Sequence, residues 1–127
     1  MTKDTGVAFH SDALLGKRVL LAIAGGIAAV ESVRLARELR RHQPDLTVIM
    51  SEDATKIISP LAVSWGSDTI VHQGWSSEMS QLEAFDMILI APATRNTISK
   101  HLHGIMDSPL LMALSAGRGR GAKLCFV

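Results

Sequence analysis

The sequence predicts an α/β fold in which helices cover both faces of an open, mostly parallel sheet. Short continuous apolar runs are typical of strands buried on both faces, and amphipathic segments alternate with them along the chain. The chain has 127 residues, which is the size of one domain, and it contains no internal repeat. Together these features predict a Rossmann-like three-layer sandwich.

The first strand is predicted over Arg18–Ala24, an apolar run that ends at Gly25-Gly26. Helical spacing of apolar residues follows from Ile27 to Leu39, and Pro44 ends this helix. Residues 1–16 lack periodicity, so we expect a flexible leader before a domain that spans residues 17–127.

A second buried strand is predicted over Leu46–Met50, and Ser51 is expected to cap a helix that runs to about Val63. Residues 64–77 show less regularity, with a short strand at Thr69–Val71. The remaining predicted elements are a short helix over Met79–Phe85, a strand over Met87–Ala91, a helix that Pro92 and Thr94 begin and that runs to about Leu102, a helix from the Asp107 cap to about Ala116, and a strand over Lys123–Val127.

Composition excludes several classes of protein. Hydrophobic residues make up 47% and charged residues 20%, which argues against disorder. A net charge of +1 gives no reason to expect nucleic acid as a partner. One cysteine excludes an internal disulfide, and the longest apolar run is too short to cross a membrane. Without a signal peptide, the expected location is the cytoplasm.

Three predicted strand ends carry residues suited to a phosphate or a cofactor, because parallel sheets bind ligands at that edge. Small residues after the first strand let backbone amides approach an anion, although Gly25-Gly26 is also an ordinary tight turn. Ser51 could hold a phosphate oxygen or simply cap its helix. Thr94 and Asn96 could reach a heterocycle, or Thr94 could only begin a helix.

Together these segments resemble the FMN-binding flavoproteins that include phosphopantothenoylcysteine decarboxylase and the lantibiotic cysteine decarboxylases. The resemblance covers about residues 17–127. The matching stretches are Gly25-Gly26-Ile27-Ala28-Ala29, Met50-Ser51-Glu52, Ile58-Ser59-Pro60-Leu61, Ala91-Pro92-Ala93-Thr94 with Asn96-Thr97-Ile98-Ser99-Lys100, and His103-Gly104-Ile105-Met106-Asp107.

The resemblance implies an FMN cofactor and a small-molecule substrate, with a role in coenzyme A biosynthesis. The phosphate would lie near Ser51 and the turn formed by Gly25, Gly26, Ile27 and Ala28. The isoalloxazine would lie near the loop that contains Ala91, Pro92, Ala93, Thr94 and Asn96. It also implies a homo-oligomer, a trimer or a multiple of three, with the flavin at a subunit boundary; helices with Leu110 and Leu111, or Trp75, are expected in the contact.

The sequence departs from the family pattern at the substrate. The decarboxylases place a histidine eight residues before the aspartate that opens the fourth strand; here that position holds Glu78, and His72 is six residues earlier. A carboxylate there would repel a substrate carboxylate. The family's Pro-x-Met-Asn segment and cysteine flap have no match in these 127 residues, so we expect the domain to lack the substrate segment.

Three functions stay open on these residues. The first is a flavin-dependent decarboxylase, in which FMN oxidises a cysteine thiol and the resulting thioaldehyde loses carbon dioxide readily. The second is a flavin oxidoreductase or electron carrier. The third is a non-catalytic FMN-binding subunit that works with a partner chain. His72 and Glu78 are the candidate catalytic residues, and turnover of a cysteinyl substrate is expected to be weak.

Other distinctive residues receive structural interpretations. His101 and His103 lie on nearly opposite faces of a helix, so no metal site is expected. Arginines between Arg34 and Arg41 alternate with glutamates and indicate a solvated helix face. Apolar and aromatic side chains are expected in hydrophobic contacts or the core: Trp65, Trp75, Met106, Leu110, Leu111, Met112 and Cys125.

Overall fold

A computed structural model describes residues 6–82 and 84–127 as five parallel strands with helices on both faces. The strands are β1 (Arg18–Ile23), β2 (Asp45–Met50), β3 (Val71–His72), β4 (Met87–Ile90) and β5 (Lys123–Phe126). The α-helices are α1 (Ser32–Arg40), α2 (Glu52–Thr55), α3 (Pro60–Ser67), α4 (Arg95–Leu102) and α5 (Pro109–Gly119), and 3₁₀ helices span Ile27–Glu31 and Met79–Leu82. The predicted α/β sandwich is confirmed.

The order of strands across the sheet is β3-β2-β1-β4-β5, and every neighbouring pair is parallel. From β1 the chain moves outward to β2 and β3, then crosses to the other side of β1 for β4 and β5. The direction of winding therefore reverses between β1 and β4. Ligands of open parallel sheets bind at such a reversal, beyond the carboxyl ends of the strands.

Strand β1 divides the core into two layers. Val19, Leu21 and Ile23 point to the layer that packs against α1 and α3, whereas Leu20 and Ala22 point to the layer beneath α5. All five side chains are fully buried. This follows from the period of two along a strand and explains why the run is apolar without alternation.

The predicted single helix from Ser51 to Val63 is wrong. Ser51 does cap α2 by accepting a hydrogen bond from the Ala54 amide at 3.1 Å, but α2 ends at Thr55. Pro60 has no amide hydrogen and its ring would clash with a helical carbonyl four residues earlier. Ser59 instead caps a second helix, α3, by accepting from the Leu61 amide.

Smaller corrections concern element ends. The short strand is Val71–His72 rather than Thr69–Val71, and the segment predicted as a helix over Met79–Phe85 is a 3₁₀ turn over Met79–Leu82. Ser108, not Asp107, caps α5 through a hydrogen bond from the Leu111 amide. Shifts of a few residues at the ends of elements are the least predictable part of a sequence-based assignment.

The expected core position of Cys125 is also wrong. Cys125 is exposed, because β5 is an edge strand with only β4 beside it. Trp65 and Trp75 are 41% and 56% exposed and do not fill the core. Leu110 and Leu111 are buried in the chain's own core beneath the sheet, so these two side chains do not offer a surface for another subunit.

The described part of the predicted leader lies along the end of α1. The amides of His10 and Ser11 donate to the Arg41 carbonyl at 2.8 and 3.2 Å, and the Leu14 amide donates to the His42 carbonyl at 3.0 Å. Residues 1–5 of the predicted leader lie outside the described residues. No helix in the described ranges has both the length and the apolar character that a membrane span requires.

Candidate functional site

An open cleft lies at the carboxyl edge of the sheet, where β1, β2 and β4 end. One cavity of about 410 Å³ contains Gly25, Ser51, Thr94 and Asn96 in its lining, one segment from each strand end. The sequence predicted that residues from these three segments would meet, and the parallel pairing of β1 with both neighbours brings them together. The volume is in the range of small-molecule sites.

Gly25 lines the cavity and Gly26 follows it, and an added Cβ would meet different surroundings at the two positions. A Cβ at Gly25 would lie 2.5 Å from the Cβ of Asp53, so this glycine lets α2 pack close to the end of β1. A Cβ at Gly26 would meet only ordinary contacts, 3.5 Å from the Pro92 side chain and 3.8 Å from Cγ2 of Thr94. Gly26 does not itself line the cavity, but a side chain there would lie beside Thr94, which does.

Ile27 and Ala28 begin the 3₁₀ helix that follows the glycines, and both are exposed. The first amide hydrogens of a helix have no acceptor within it, and they point outward from its beginning. This helix start follows Gly25, although Ile27 and Ala28 do not themselves line the cavity. A second helix start, at α2, does lie in the lining, and there the Ser51 hydroxyl keeps its own hydrogen to donate. Such helix starts favour anions.

The β4 side of the cleft is built by the start of α4. Thr94 caps this helix by accepting from the Thr97 amide at 3.1 Å, and its hydroxyl also bonds the Thr97 hydroxyl at 2.9 Å. Asn96 is exposed in the first turn, and Lys100 follows it by one turn on the same face. The loop between β4 and Thr94 contains a cis peptide bond between Ala91 and Pro92.

Lys100 and Asp107 form an ion pair across the cleft lining, with 2.8 Å between Nζ and Oδ2. Gly104, at a φ of +71°, reverses the chain after α4 so that Asp107 returns to α4. The Ile105 amide donates to the Lys100 carbonyl at 2.9 Å and holds this reversal. The turn therefore adds a fourth segment to the cleft.

A second cavity of about 450 Å³ continues the cleft toward β3. It shares Ser51, Glu52, Asp107, Ser108 and Leu110 with the first cavity. Gln73, Gly74 and Trp75, from the loop after β3, line its far end. The two cavities together form a groove that runs from the start of α4 to Trp75.

Neither candidate catalytic residue lines these cavities. His72 is buried in β3, where it pairs in register with Ile49. Glu78 is exposed, and its amide donates to the Ser76 hydroxyl at 3.2 Å. His72 directly precedes Gln73, so the backbone, but not the imidazole, adjoins the groove.

Sequence reasoning gave no site role to several residues that line the first cavity, although four of them stand in the stretches that resemble the family: Glu52, Thr97, Lys100 and Asp107, together with Asp53 and Ser108 outside those stretches. Two signals were available. Lys100 stands four residues after Asn96, which places both on one helix face. Glu52 and Asp53 stand in the first turn after Ser51, where carboxylates are favoured by the helix dipole.

Among the residues described, no three His, Cys, Asp or Glu side chains are grouped in a way that could hold a metal ion. His101 is buried, whereas His103 is exposed and bonds the Ser99 carbonyl oxygen through Nδ1 at 2.7 Å. The two histidines therefore face apart, as their spacing predicted.

A family model described as Flavoprotein matches residues 8–127, and its match includes every strand end that forms the cleft. The chain belongs to the flavoprotein family. The match also takes in residues 8–16, which the sequence alone had separated from the domain.

Among its relatives in sequence is the coenzyme A biosynthesis bifunctional protein CoaBC of Thermococcus kodakarensis. The two are 44% identical over 110 residues, which cover 81% of this flavoprotein chain and 27% of CoaBC. The chain thus spans about a quarter of the length of the relatives that it matches.

Solved structures share the fold at low sequence identity. MrsD from a Bacillus species superposes with a TM-score of 0.74 at 17% identity, covering 87% of this chain and 83% of MrsD. The FMN-dependent cysteine decarboxylase TvaF superposes with a TM-score of 0.77 at 17% identity, covering 85% of this chain and 70% of TvaF. These likenesses show that the flavoprotein sandwich is preserved.

Proposed function

We propose that this flavoprotein binds FMN in the cleft and forms the flavin-binding part of a decarboxylase that acts on a small cysteinyl substrate. The observation that carries the proposal is the meeting of Gly25, Ser51, Thr94 and Asn96 around one open cavity at the reversal point of the sheet. Membership of the flavoprotein family supports a flavin as the occupant.

The residues present fit such a cofactor. The space that a Cβ would fill at Gly26 lies beside Pro92 and Thr94, which leaves backbone open to a ligand. The exposed helix start at Ile27 and Ala28 and the Ser51 hydroxyl offer donors to phosphate oxygens. The loop from Ala91 through Pro92 and Ala93 to Asn96 borders the place proposed for the ring.

The cofactor and the residues around it have separate roles in the proposed reaction. FMN, when bound, supplies the capacity to take two electrons from a substrate thiol. Ser51 and the amides after Gly26 hold the phosphate, and Thr94 fixes the start of α4 through its cap. Asn96 presents an amide that can both donate and accept at the cleft. The protein thereby orients cofactor and substrate.

The class of substrate is proposed from the relatives and the neighbours. CoaBC is named for coenzyme A biosynthesis, and TvaF is described as an FMN-dependent cysteine decarboxylase. A groove that continues about 450 Å³ toward Trp75 leaves room for a small substrate beside the cofactor. We therefore propose phosphopantothenoylcysteine or a similar cysteinyl carboxylate.

We propose that turnover by these 127 residues is weak. His72 is buried in β3 and Glu78 stands outside the cavities, so neither candidate catalytic group reaches the groove in this conformation. Loss of positioning groups of this kind costs roughly 10²-fold in rate. This placement also favours a second function, an FMN-binding or electron-transfer subunit that works with a partner chain.

We also propose a homo-oligomer, a trimer or a multiple of three. Several large apolar side chains are at least 38% exposed. They come from the first 3₁₀ helix and α3, and from the end of α4 through the following turn to α5: Ile27, Val30, Leu61, Trp65, Leu102, Ile105, Met106 and Met112. Exposed apolar area of this kind marks interaction surfaces.

Flavin binding is tested with Gly26→Val. The purified protein is mixed with FMN, and a change of the flavin absorbance band near about 450 nm reports binding. We expect wild type to bind and Gly26→Val to bind at least about tenfold more weakly, because the branched side chain fills the space beside Thr94 at the cleft. Gly119→Val is the control, since a Cβ there meets no atom within 4 Å and Gly119 is remote from the lining.

An unaltered FMN spectrum with folded wild-type protein would overturn the proposal. With FMN bound, carbon dioxide release from phosphopantothenoylcysteine separates the two candidate functions. Release that His72→Asn abolishes supports the decarboxylase and a role for His72. Binding without release supports the electron-transfer or partner subunit.

A further inference from the structure

We propose that Lys100 is the anion-binding side chain of the cleft, and that Asp107 holds its ammonium in place until an anionic group of the ligand takes over the contact. This inference rests on the proposed function, because the ligand is a flavin phosphate or a substrate carboxylate bound in the same cleft. Both offer the same chemistry, a negatively charged oxygen acceptor.

The charges around the first cavity single out Lys100. Its described lining contains three carboxylates, on Glu52, Asp53 and Asp107, and one cation, on Lys100. The carboxylates repel an anionic ligand, so Lys100 is the side chain of this lining that attracts one by charge. Without it, the helix starts alone would have to outweigh the acidic lining.

Asp53 and Asp107 each have a lysine partner, but the two pairs differ in position. Lys56 lies 3.3 Å from Asp53, one turn along, and its own side chain does not line the cavity. Lys100 lies 2.8 Å from Asp107 and does line it. The Asp53–Lys56 pair therefore provides a matched comparison for the Lys100–Asp107 pair.

The Lys100–Asp107 contact can exchange its partner. The ammonium has three hydrogens, so it can keep a second acceptor while it bonds Asp107. The side chains are 31% and 56% exposed, and ion pairs at such sites contribute little to stability. A bound anion in a partly enclosed cleft can therefore compete with Asp107 for Lys100.

Breaking this ion pair leaves the turn intact, because other bonds hold it. The Gly104 amide donates to the His101 carbonyl at 3.1 Å, and the Ile105 amide donates to the Lys100 carbonyl at 2.9 Å. Ser108 then caps α5 with its own hydroxyl. Lys100 can thus leave Asp107 while the cleft wall stays in place.

The test compares FMN with riboflavin, which has the same ring without the phosphate. We expect Lys100→Met to weaken FMN binding about tenfold and to leave riboflavin binding unchanged, since a charge-assisted hydrogen bond is lost. Asp107→Asn should strengthen FMN binding a few-fold, because Lys100 is released from its competitor. Lys56→Met is the control and should change neither affinity.

A second arm identifies a carboxylate as the source. FMN-loaded wild type and Lys100→Met are titrated with N-acetylcysteine and with N-acetylcysteamine, which lacks the carboxylate, while the flavin spectrum is followed. A loss confined to FMN against riboflavin assigns Lys100 to the phosphate. A loss confined to N-acetylcysteine assigns it to the substrate carboxylate.

A purely structural role gives a different pattern. If Lys100 only clamps the turn, Lys100→Met and Asp107→Asn both weaken FMN and riboflavin to the same extent, and the proposal is overturned. If Lys100→Met changes neither the binding of FMN nor the binding of N-acetylcysteine, the proposal is also overturned, while the proposed function stands. If wild type binds neither flavin, the proposed function fails and this inference with it.

Discussion

At the residue scale, two adjacent glycines have opposite structural roles. Gly25 faces Asp53 so closely that an added Cβ would lie 2.5 Å from the Asp53 Cβ and 3.2 Å from its carbonyl carbon. Gly26 faces Pro92 at an ordinary 3.5 Å. The first glycine permits the packing of α2 against β1, and the second leaves space beside Thr94, which lines the cleft.

Gly25→Ala should therefore destabilise the fold, whereas Gly26→Ala should not. Because Asp53 begins a helix and its backbone cannot yield, we expect Gly25→Ala to lower the free energy of unfolding by about 1–3 kcal/mol, as overpacking does. Urea unfolding followed by circular dichroism measures both variants. Equal stabilities for the two would contradict the close approach of α2.

His101 is a second residue with a measurable consequence. It is buried in α4, its Nε2 lies 3.4 Å from the Arg118 guanidinium, and its Nδ1 has no hydrogen-bond partner. Because arginine can only donate, Nε2 is the acceptor and Nδ1 carries the hydrogen. Burial, with the nearby charge of Arg118, lowers the pKa of His101.

Stability should therefore fall as the solution becomes acidic. The unfolded chain takes up a proton near the ordinary histidine pKa of about 6.5, whereas the folded protein does so only at a lower pH. Between these two values the unfolded state holds more protons, so the free energy of unfolding decreases as pH falls and is restored above about pH 7. His101→Leu should reduce this slope in urea unfolding measured from pH 5 to 8.

At the element scale, a glycine is needed where two helices pack too closely for a Cβ atom. Gly66 in α3 faces α1, and a Cβ there would lie 2.8 Å from Cγ1 and 3.2 Å from the carbonyl oxygen of Val33. Gly119, at the end of α5, faces open space. The contact between α1 and α3 covers one layer of the core, so its spacing matters to the sheet beneath.

We expect Gly66→Ala to lower the free energy of unfolding by about 1–3 kcal/mol, because the Val33 backbone must move. Gly119→Ala should be neutral or stabilising, since alanine has the higher helix propensity by up to about 1 kcal/mol. Thermal unfolding of both variants beside wild type checks the pair. A melting temperature of Gly66→Ala above that of wild type would contradict the close packing of α1 against α3.

At the scale of the whole molecule, the exposed apolar side chains predict self-association. Ile27, in the first 3₁₀ helix, is 81% exposed, and Leu102, at the end of α4, is 70% exposed. We expect a trimer, or a multiple of three, in light scattering at micromolar concentration, because burial of such area is favourable at about 25 cal/mol per Å². A monomer under these conditions would contradict the proposed assembly.

Two charge substitutions identify which surface is used. Ile27→Glu and Leu102→Glu each place a carboxylate on one of these two helices, and burial of an unpaired charge is costly. At least one should shift the protein toward smaller species. Arg34→Glu serves as a control, because Arg34 is exposed and pairs with Glu31 at 3.3 Å on a charged helix face.

Much of the fold could be predicted from the sequence, because the signals are local. The apolar run at β1, the helix spacing of α1 and the caps at Ser51 and Thr94 are visible without tertiary information. Because the strands are parallel, the three predicted site segments that follow them lie at one edge of the sheet, beyond the carboxyl ends of the strands. The choice of residues Gly25, Ser51, Thr94 and Asn96 followed from this rule.

Only the tertiary structure determines which distant segments of the chain are in contact. The sequence predicts that Cys125 lies in the core, but it is exposed because β5 is at the edge of the sheet. That position depends on the order of the strands, which the residues of β5 do not determine. Lys100 and Asp107 form an ion pair in the cleft because the chain reverses at Gly104, and the periodicity of the sequence does not predict this contact. His72 is a catalytic candidate from the sequence, and in the structure it is buried in β3, where it pairs with Ile49 of β2. Sequence patterns report local burial and conformation, whereas the neighbours of each side chain depend on how the elements pack.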